Sequence, residues 1–348
     1  MQLHEIPTDI SWGRRLATTS SWFVLAVVLT ALLPILIPLT AIYDLVTRND
    51  LSTSRTLFFF TFFFVTESVG LLIAFWLWVR HKAGMSDHDY EMANRKLQRW
   101  WSRGLFWGSL RIFSADVEID GLEQLEDEHP AVVLSRHAST LDTMLPIAVV
   151  RQLKSYRYVM KSELLIDPAL DYCAQRFPNV FVDRGSDRPE FEIDKVVALG
   201  KQLDDNDAVV VYPEGTRFSE SKRERLLEKF ADDDKMLAVT RDLKNTLPPL
   251  REGGLKLVKS TTDADVVFIA HRGIDDAGAM SDLVSGGLTK AEIRIKIWRV
   301  PASEVPRTEE DGLHQFFVEN WKRIDRFVAG ETVDVPQRSP EHSPAYVE

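Results

Sequence analysis

The sequence predicts an α/β fold: a mixed, largely parallel sheet flanked by helices, preceded by an N-terminal hairpin of two hydrophobic helices suited to a membrane. Three observations carry that prediction. Two long apolar runs stand near the start of the chain. After Ala115, short β-rich runs alternate with helical stretches, the pattern of strands joined by crossover helices. Runs such as Ala131-Val132-Val133-Leu134 and Ala208 to Tyr212 show little polar alternation, as in strands buried on both faces of a parallel sheet.

The first 112 residues carry 11 Lys/Arg against 8 Asp/Glu, a net of +3, and the remaining residues carry 31 against 44, a net of −13. The first part is basic and apolar, the second acidic and mixed, so the two face different solvents. The 348 residues suggest about two domains at ~150 residues each. Hydrophobic residues make up 45% and charged residues 27%, which excludes a disordered chain. The net charge of −10 argues against nonspecific nucleic-acid binding. Cys173 is the one cysteine, which excludes an intramolecular disulfide and a multi-cysteine metal cluster.

The first apolar run, Leu16 to Tyr43, holds 28 residues without a formal charge. At ~1.5 Å per residue a helix of that length reaches about 42 Å, enough for a ~30 Å hydrocarbon core with tilt. It is also longer than the ~7–15 apolar residues of a signal peptide. Pro34 and Pro38 kink it, and Trp22 and Tyr43 flank it as interfacial anchors do. The second run, Thr56 to Val79, holds one charge, Glu67; a carboxyl there is expected protonated and packed against the first helix. A spanning pair, a hairpin embedded in one leaflet and a hairpin buried in a protein core all fit. Arg14, Arg15, Arg80 and Lys82 form basic outer flanks, which favour a membrane-anchored protein with both ends and the large C-terminal part facing the cytoplasm.

Tyr90 to Phe113 reads as a basic amphipathic helix, with Arg95, Lys96, Arg99, Arg103 and Arg111 interleaved with Trp100, Trp101, Phe106 and Trp107. Such a helix lies in an anionic headgroup plane or covers a soluble domain, and the two are compatible.

Expected strands follow at Val117–Ile119, Ala131–Leu134, Tyr156–Met160, Val180–Val182, Ala208–Tyr212, Val266–Ala270 and Ile293–Val300. Expected helices lie at Thr143–Leu153, Pro168–Phe177, Glu190–Asp204, Ser221–Leu243 and Gly312–Ala329. The resulting division is an anchor at 1–83, an interfacial helix at 84–114, a sheet-bearing domain at 115–330 and a flexible, proline-bearing tail at 331–348.

Two chemical signatures stand at strand exits. In Ser135-Arg136-His137-Ala138-Ser139-Thr140-Leu141-Asp142, a histidine leaves a strand with a carboxylate close behind. Five positions apart in a regular helix lie about 140° round the axis, so the two meet only if the chain turns at His137 and a helix starts near Ser139 or Thr140. Asp142 then fixes the imidazole tautomer and stabilises an imidazolium. Alone, this spacing also suits a solvated surface pair. The second signature is Pro213-Glu214-Gly215-Thr216-Arg217 after a buried strand. Gly215 permits positive φ and close ligand approach. Arg217 offers a rigid fork for phosphate and Thr216 a hydroxyl; an ordinary glycine turn with a surface arginine reads the same way.

Together these residues resemble the glycerolipid acyltransferase family, best known for its lysophosphatidic acid acyltransferases. The resemblance runs from about Val117 to Val300. Its blocks are His137 to Asp142, Phe181-Val182-Asp183-Arg184 and Pro213 to Arg217, with Lys161-Ser162-Glu163-Leu164-Leu165 and Pro168 similar to the linker between the first two. Arg136 stands where many members have Asn. Val266 to His271 departs from the usual apolar run with proline. Arg251 or Lys256 fills the place of a basic residue that often lies between the last two blocks.

The resemblance implies transfer of a fatty acyl group from a thioester of CoA or acyl carrier protein to a lysophospholipid hydroxyl, most readily lysophosphatidic acid to give phosphatidic acid. Other acceptors are glycerol-3-phosphate or another lysophospholipid, or the reaction is a transacylation; a non-catalytic lipid-binding protein is the reading outside enzymes. It implies His137 as base with Asp142 behind it, and a substrate site of Arg184, Glu214, Gly215, Thr216 and Arg217. Glu214 would bind an acceptor hydroxyl or orient Arg217. Membrane lipids, the lysophospholipid and the thioester donor are the implied partners, with no metal and no further cofactor.

Overall fold

A computed structural model describes residues 10–150, 155–183, 185–249, 251–278 and 280–336. Seven strands form one sheet: β1 (Asp116–Asp120), β2 (Ala131–Ser135), β3 (Ser155–Lys161), β4 (Val180–Val182), β5 (Asp207–Val211), β6 (Asp265–Arg272) and β7 (Glu292–Val300). Their order is β1-β7-β6-β2-β5-β3-β4. Every pairing is parallel except β6 with β7. The fold is thus a mixed, largely parallel sheet flanked by helices.

β2 is central because its residues are apolar on both sides. Ala131 and Val133 face one core with Tyr156, Val267 and Ile269. Val132 and Leu134 face the other with Val209, Leu257 and Trp321. The alternation is the two-residue period of a strand, filled here with β-branched side chains on both faces.

Three long helices precede the sheet: α1 (Trp12–Thr47), α2 (Ser52–Lys82) and α3 (Asp87–Phe113). Among the described residues, α1 and α2 are the two helices long and apolar enough to cross a membrane. α1 keeps Pro34 and Pro38 inside it and exposes Val24, Val27, Ile35, Leu39 and Val46. The Asp44 carboxylate caps α2 by accepting the Thr53 and Ser54 N–H groups at 3.2 and 2.8 Å, which replaces the side-chain cap that Leu51 cannot give. Both ends of α1 touch the sheet domain. Arg14 and Arg15 each donate to Asp171 at 3.0 Å. At the other end Asn49 donates to the Val284 carbonyl at 3.0 Å, Ser52 meets Thr289 at 3.0 Å and Asp50 pairs with Lys290 at 3.0 Å.

α3 covers the sheet. It buries Leu105, Phe106, Leu110 and Phe113, each worth about 1.5–3 kcal/mol on full burial. Arg103 Nη1 and Trp107 Nε1 donate to the Ala148 carbonyl at 2.8 and 3.2 Å. Glu67 corrects the expectation of a partner on α1: it is fully buried, and Trp101 of α3 donates to it at 2.5 Å.

The remaining helices are α4 (Leu122–Glu126), α5 (Leu145–Val149), α6 (Pro168–Tyr172), α7 (Pro189–Leu199), α8 (Glu220–Lys229), α9 (Asp234–Asp242), α10 (Glu252–Ser260), α11 (Met280–Val284) and α12 (Leu313–Val328). The expected helix Ser221–Leu243 is two, because Asp233 caps α9 by accepting the Met236 N–H at 3.0 Å. The expected helix at Thr143 shortens to α5 after a 3₁₀ turn at Leu141–Thr143, and Leu153 lies outside the described residues. Because β5 leads across β2 to β6, the carboxyl ends of β2, β5 and β6 converge, the place where open α/β sheets present a crevice.

Candidate active site

At the end of β2 the chain turns sharply and Asp142 reaches back. Its Oδ1 accepts from His137 Nδ1 at 2.9 Å. Its Oδ2 accepts the N–H groups of Ala138 and Ser139 at 2.6 and 2.7 Å. The helix start near Ser139 or Thr140 takes the form of the 3₁₀ turn: the Ser139 hydroxyl accepts the Leu141 N–H at 3.1 Å, and Asp142 takes the two N–H groups just before it. Burial alone would push the Asp142 carboxyl up. The His137 hydrogen bond and charge, His271 and the Ser139 N–H outweigh it and hold the group below the usual carboxylate range. An ionised carboxylate only accepts, so His137 Nδ1 carries a proton, and Nε2 is the ring nitrogen not engaged by Asp142. The His137 side chain keeps 17% of its surface exposed while Asp142 has none. A buried carboxylate behind a part-exposed imidazole is the arrangement of a general base.

The loop after β5 holds this turn from the other side. Phe218 N–H donates to the His137 carbonyl at 2.8 Å. The Tyr212 ring lies 4.6 Å from the His137 ring, and its hydroxyl donates to the Asp142 carbonyl at 3.4 Å. Gly215 sits at φ 70°, and a Cβ there would come within 2.5 Å of Arg251 Nε.

Glu214 has a different task from the one the resemblance implies. Its Oε1 accepts the His137 N–H at 3.2 Å and its Oε2 the Leu247 N–H at 3.3 Å. It is almost fully buried. Both carboxyl oxygens are thus turned to backbone N–H groups rather than to Arg217, and the side chain braces the His137 turn. Burial pushes its carboxyl up to about 8, against the opposing pull of Arg136 and the two N–H groups.

Arg217 Nη1 donates to the Gly278 carbonyl at 2.5 Å and to Thr140 Oγ1 at 3.3 Å, so it bridges the β2 and β6 exits. The Thr216 hydroxyl accepts from Lys222 Nζ at 3.1 Å, and Lys222 also donates to the Arg217 carbonyl at 2.7 Å. Burial, then Arg217, Lys161 and Arg225, lower the Lys222 ammonium. That crowding of like charge is what a phosphate would relieve. Of the two alternatives between the last blocks, Arg251 packs against Gly215, whereas Lys256 pairs with Glu252 on the exposed face of α10. Arg184 lies outside the described residues. Burial pushes the Cys173 thiol up to about 11, which leaves it poor as a nucleophile at neutral pH.

Sequence reasoning missed Tyr212, Lys222 and His271 as members of the site. Tyr212 and His271 stand at strand ends that only the sheet order brings beside His137. Lys222 had a signal: a cation in the first turn of the helix that follows the Gly215 loop.

A family model described as Acyltransferase matches residues 116–271. The chain is 24% identical over 210 residues to lysophosphatidylinositol acyltransferase 10 of Caenorhabditis elegans, covering 57% of this chain and 52% of that protein. It is 25% identical over 189 residues to probable 1-acyl-sn-glycerol-3-phosphate acyltransferase 5 of Arabidopsis thaliana, covering 53% and 49%. The chain thus spans about half the length of the curated relatives it matches. Among solved structures it is similar in fold to the 1-acyl-sn-glycerophosphate acyltransferase PlsC of Thermotoga maritima, with a TM-score of 0.55 and 17% identity, covering 81% of this chain and 98% of that one.

Proposed function

We propose that the protein, whose residues 116–271 match the Acyltransferase family model, moves a fatty acyl group from a CoA or acyl-carrier-protein thioester to the hydroxyl of a lysophospholipid, lysophosphatidic acid first. The observation that carries this reading is the His137–Asp142 pair at 2.9 Å beside the Arg217–Lys222 cluster. His137 Nε2 takes the proton from the acceptor hydroxyl as that oxygen attacks the thioester carbonyl carbon. Asp142 stabilises the imidazolium. The tetrahedral intermediate collapses, the carbon–sulfur bond breaks, and the imidazolium returns its proton to the leaving thiolate. An ester and a free thiol result, with no covalent enzyme intermediate.

Arg217, with Lys222 beside it, supplies the cationic site for the acceptor phosphate. A larger head group such as lysophosphatidylinositol is the second reading, since the nematode relative is named for that acceptor at nearly the same identity as the plant one. Purified protein in detergent, given a panel of lyso-acceptors with each thioester donor and read by mass spectrometry, tests both. Lysophosphatidic acid converted fastest supports the first; no ester product from any pair removes the enzyme reading. In the same assay Arg217→Ala should raise the acceptor KM far more than the donor KM, with Arg217→Lys recovering part, because a point charge lacks the bidentate fork.

The division at 83, 114 and 330 fits this reading: an apolar hairpin, a basic covering helix and a catalytic domain. We place the hairpin in one leaflet, on the side where the catalytic domain meets the cytoplasm. The support is that both ends of α1 bond to the sheet domain while its apolar flank is exposed.

A further inference from the structure

His271 ends the run of buried side chains along β6 and takes no part in the chemistry above, yet it stands against the catalytic carboxylate. It is fully buried. Its Nε2 lies 3.0 Å from the Arg136 carbonyl oxygen and 3.6 Å from Asp142 Oδ2. A carbonyl only accepts, so Nε2 carries the proton. Nδ1 then holds a bare lone pair, buried and without a hydrogen-bond partner.

A second proton at Nδ1 would put an imidazolium beside the Arg136 guanidinium. That guanidinium is itself fully buried and donates to the His271 carbonyl at 3.0 Å, to the Asn245 carbonyl at 2.9 Å and to Asp275. The charged groups facing the ring are therefore Asp142 from the 3₁₀ turn, Arg136 from the β2 exit and Asp275 beyond β6. Glu214 adds a buried carboxyl that faces Arg136 and Asp142 from the β5 exit. On the other side β7 sets Ile295 in register with His271. Burial holds the imidazole below its usual range against the pull of Asp142.

We propose that His271 is a positioning residue of the catalytic pair: a neutral imidazole, anchored on the Arg136 carbonyl, whose N–H faces Asp142 Oδ2 and keeps Oδ1 turned to His137. The inference rests on His137 as the base. Asp142 thus has an imidazole on each side, one part-exposed and reactive, one buried and fixed. The buried N–H draws some of the carboxylate charge toward itself. Without it, Asp142 would pull harder on the His137 proton, and His137 would hold a second proton to higher pH.

The test uses the full-length protein in detergent with ¹³C/¹⁵N-labelled histidine. His271→Leu removes the N–H; His271→Gln returns an amide N–H near the same place. In the Leu variant, the NMR titration midpoint of His137 should rise by about 0.5 unit or more, and the acid limb of kcat/KM should move up with it, while acceptor KM stays put. The Gln variant should restore both toward wild type. A folded Leu variant with an unmoved His137 titration overturns the proposal. The wild type gives a second check that needs no variant: His271 must show the Nε2–H tautomer and stay neutral at the pH of the kinetic assay. A His271 charged at that pH, or one protonated on Nδ1, overturns it equally. The NMR readouts need no turnover, so an inactive wild type with the shift intact removes the acyltransferase reading and leaves only the coupling of His271 to the His137–Asp142 pair standing.

Discussion

At the residue scale, the site is a set of backbone N–H groups shared between two carboxylates. Asp142 takes those of Ala138 and Ser139, and Glu214 those of His137 and Leu247. The first is ionised because donors and an imidazole surround it; the second is held protonated by burial. A secondary hydroxyl is a poor nucleophile at neutral pH, and a positioned base contributes ~10²–10⁴-fold. His137→Ala should therefore lower kcat by about a hundredfold or more, and Asp142→Asn should do nearly as much, the double variant being scarcely worse than either. Steady-state kinetics with unchanged thermal denaturation would check this. Glu214 predicts a pH effect on stability. Its carboxyl titrates at about 8 in the fold against an ordinary 4.5, so what it contributes is present below 4.5 and is lost as pH rises toward 8. Glu214→Gln has no such loss. Between about pH 5 and 8, the Tm of the wild type should fall relative to that of the variant. His137 and Asp142 are legible in the sequence because they lie in one turn of chain. Tyr212 and His271 are not, because strand order brings them there and the residues around them are silent about that order. Glu214 misleads because a carboxyl close to an arginine in sequence looks like its partner, while the φ of Gly215 turns the chain between them.

At the element scale, the strands are the legible part. Each buried strand is a short β-branched run with few other readings, and all seven stand within a residue or two of their expected bounds. Helices are less so, because a cap inside a polar stretch is easily passed over: Ala231-Asp232-Asp233-Asp234 holds the N-cap that splits α8 from α9. The turn from β1 into α4 is likewise hard to read. Gly121 sits there at φ 84°, and a Cβ would lie 2.1 Å from the Ile297 carbonyl oxygen of β7. That neighbour is strand backbone and cannot swing aside. Gly121→Ala adds a left-handed penalty of roughly 1–2 kcal/mol before any clash. It should lower the melting temperature by several degrees, with kcat at low temperature preserved because the turn is on the far side of β7 from His137. A variant as stable as wild type would mean the β1–β7 edge is not packed as described.

At the scale of the whole molecule, the charge split and the hairpin describe one geometry. α1 has 36 residues, so at ~1.5 Å each it is about 54 Å long. Its start is tied to Asp171 by Arg14 and Arg15, and the loop after it is tied to Val284, Lys290 and Thr289. A hairpin that crossed the bilayer would carry that loop ~30 Å away from the domain, beyond the hydrocarbon. These contacts would then all be broken. With the hairpin lying in one leaflet they are all kept, and the apolar flank of α1 still meets lipid. The basic ends and the acidic domain then share one aqueous side. Asp50 reports on this directly. It is 67% exposed, and its pair with Lys290 is exposed too, so replacing it should cost well under about 1 kcal/mol. Asp50→Cys in a Cys173→Ser background should therefore fold and keep its activity. A membrane-impermeant maleimide should label the introduced thiol from the same side that reaches a tag at Glu348. Labelling from the opposite side would show a hairpin that spans the bilayer and would set aside the one-leaflet placement, while leaving the chemistry at His137 untouched.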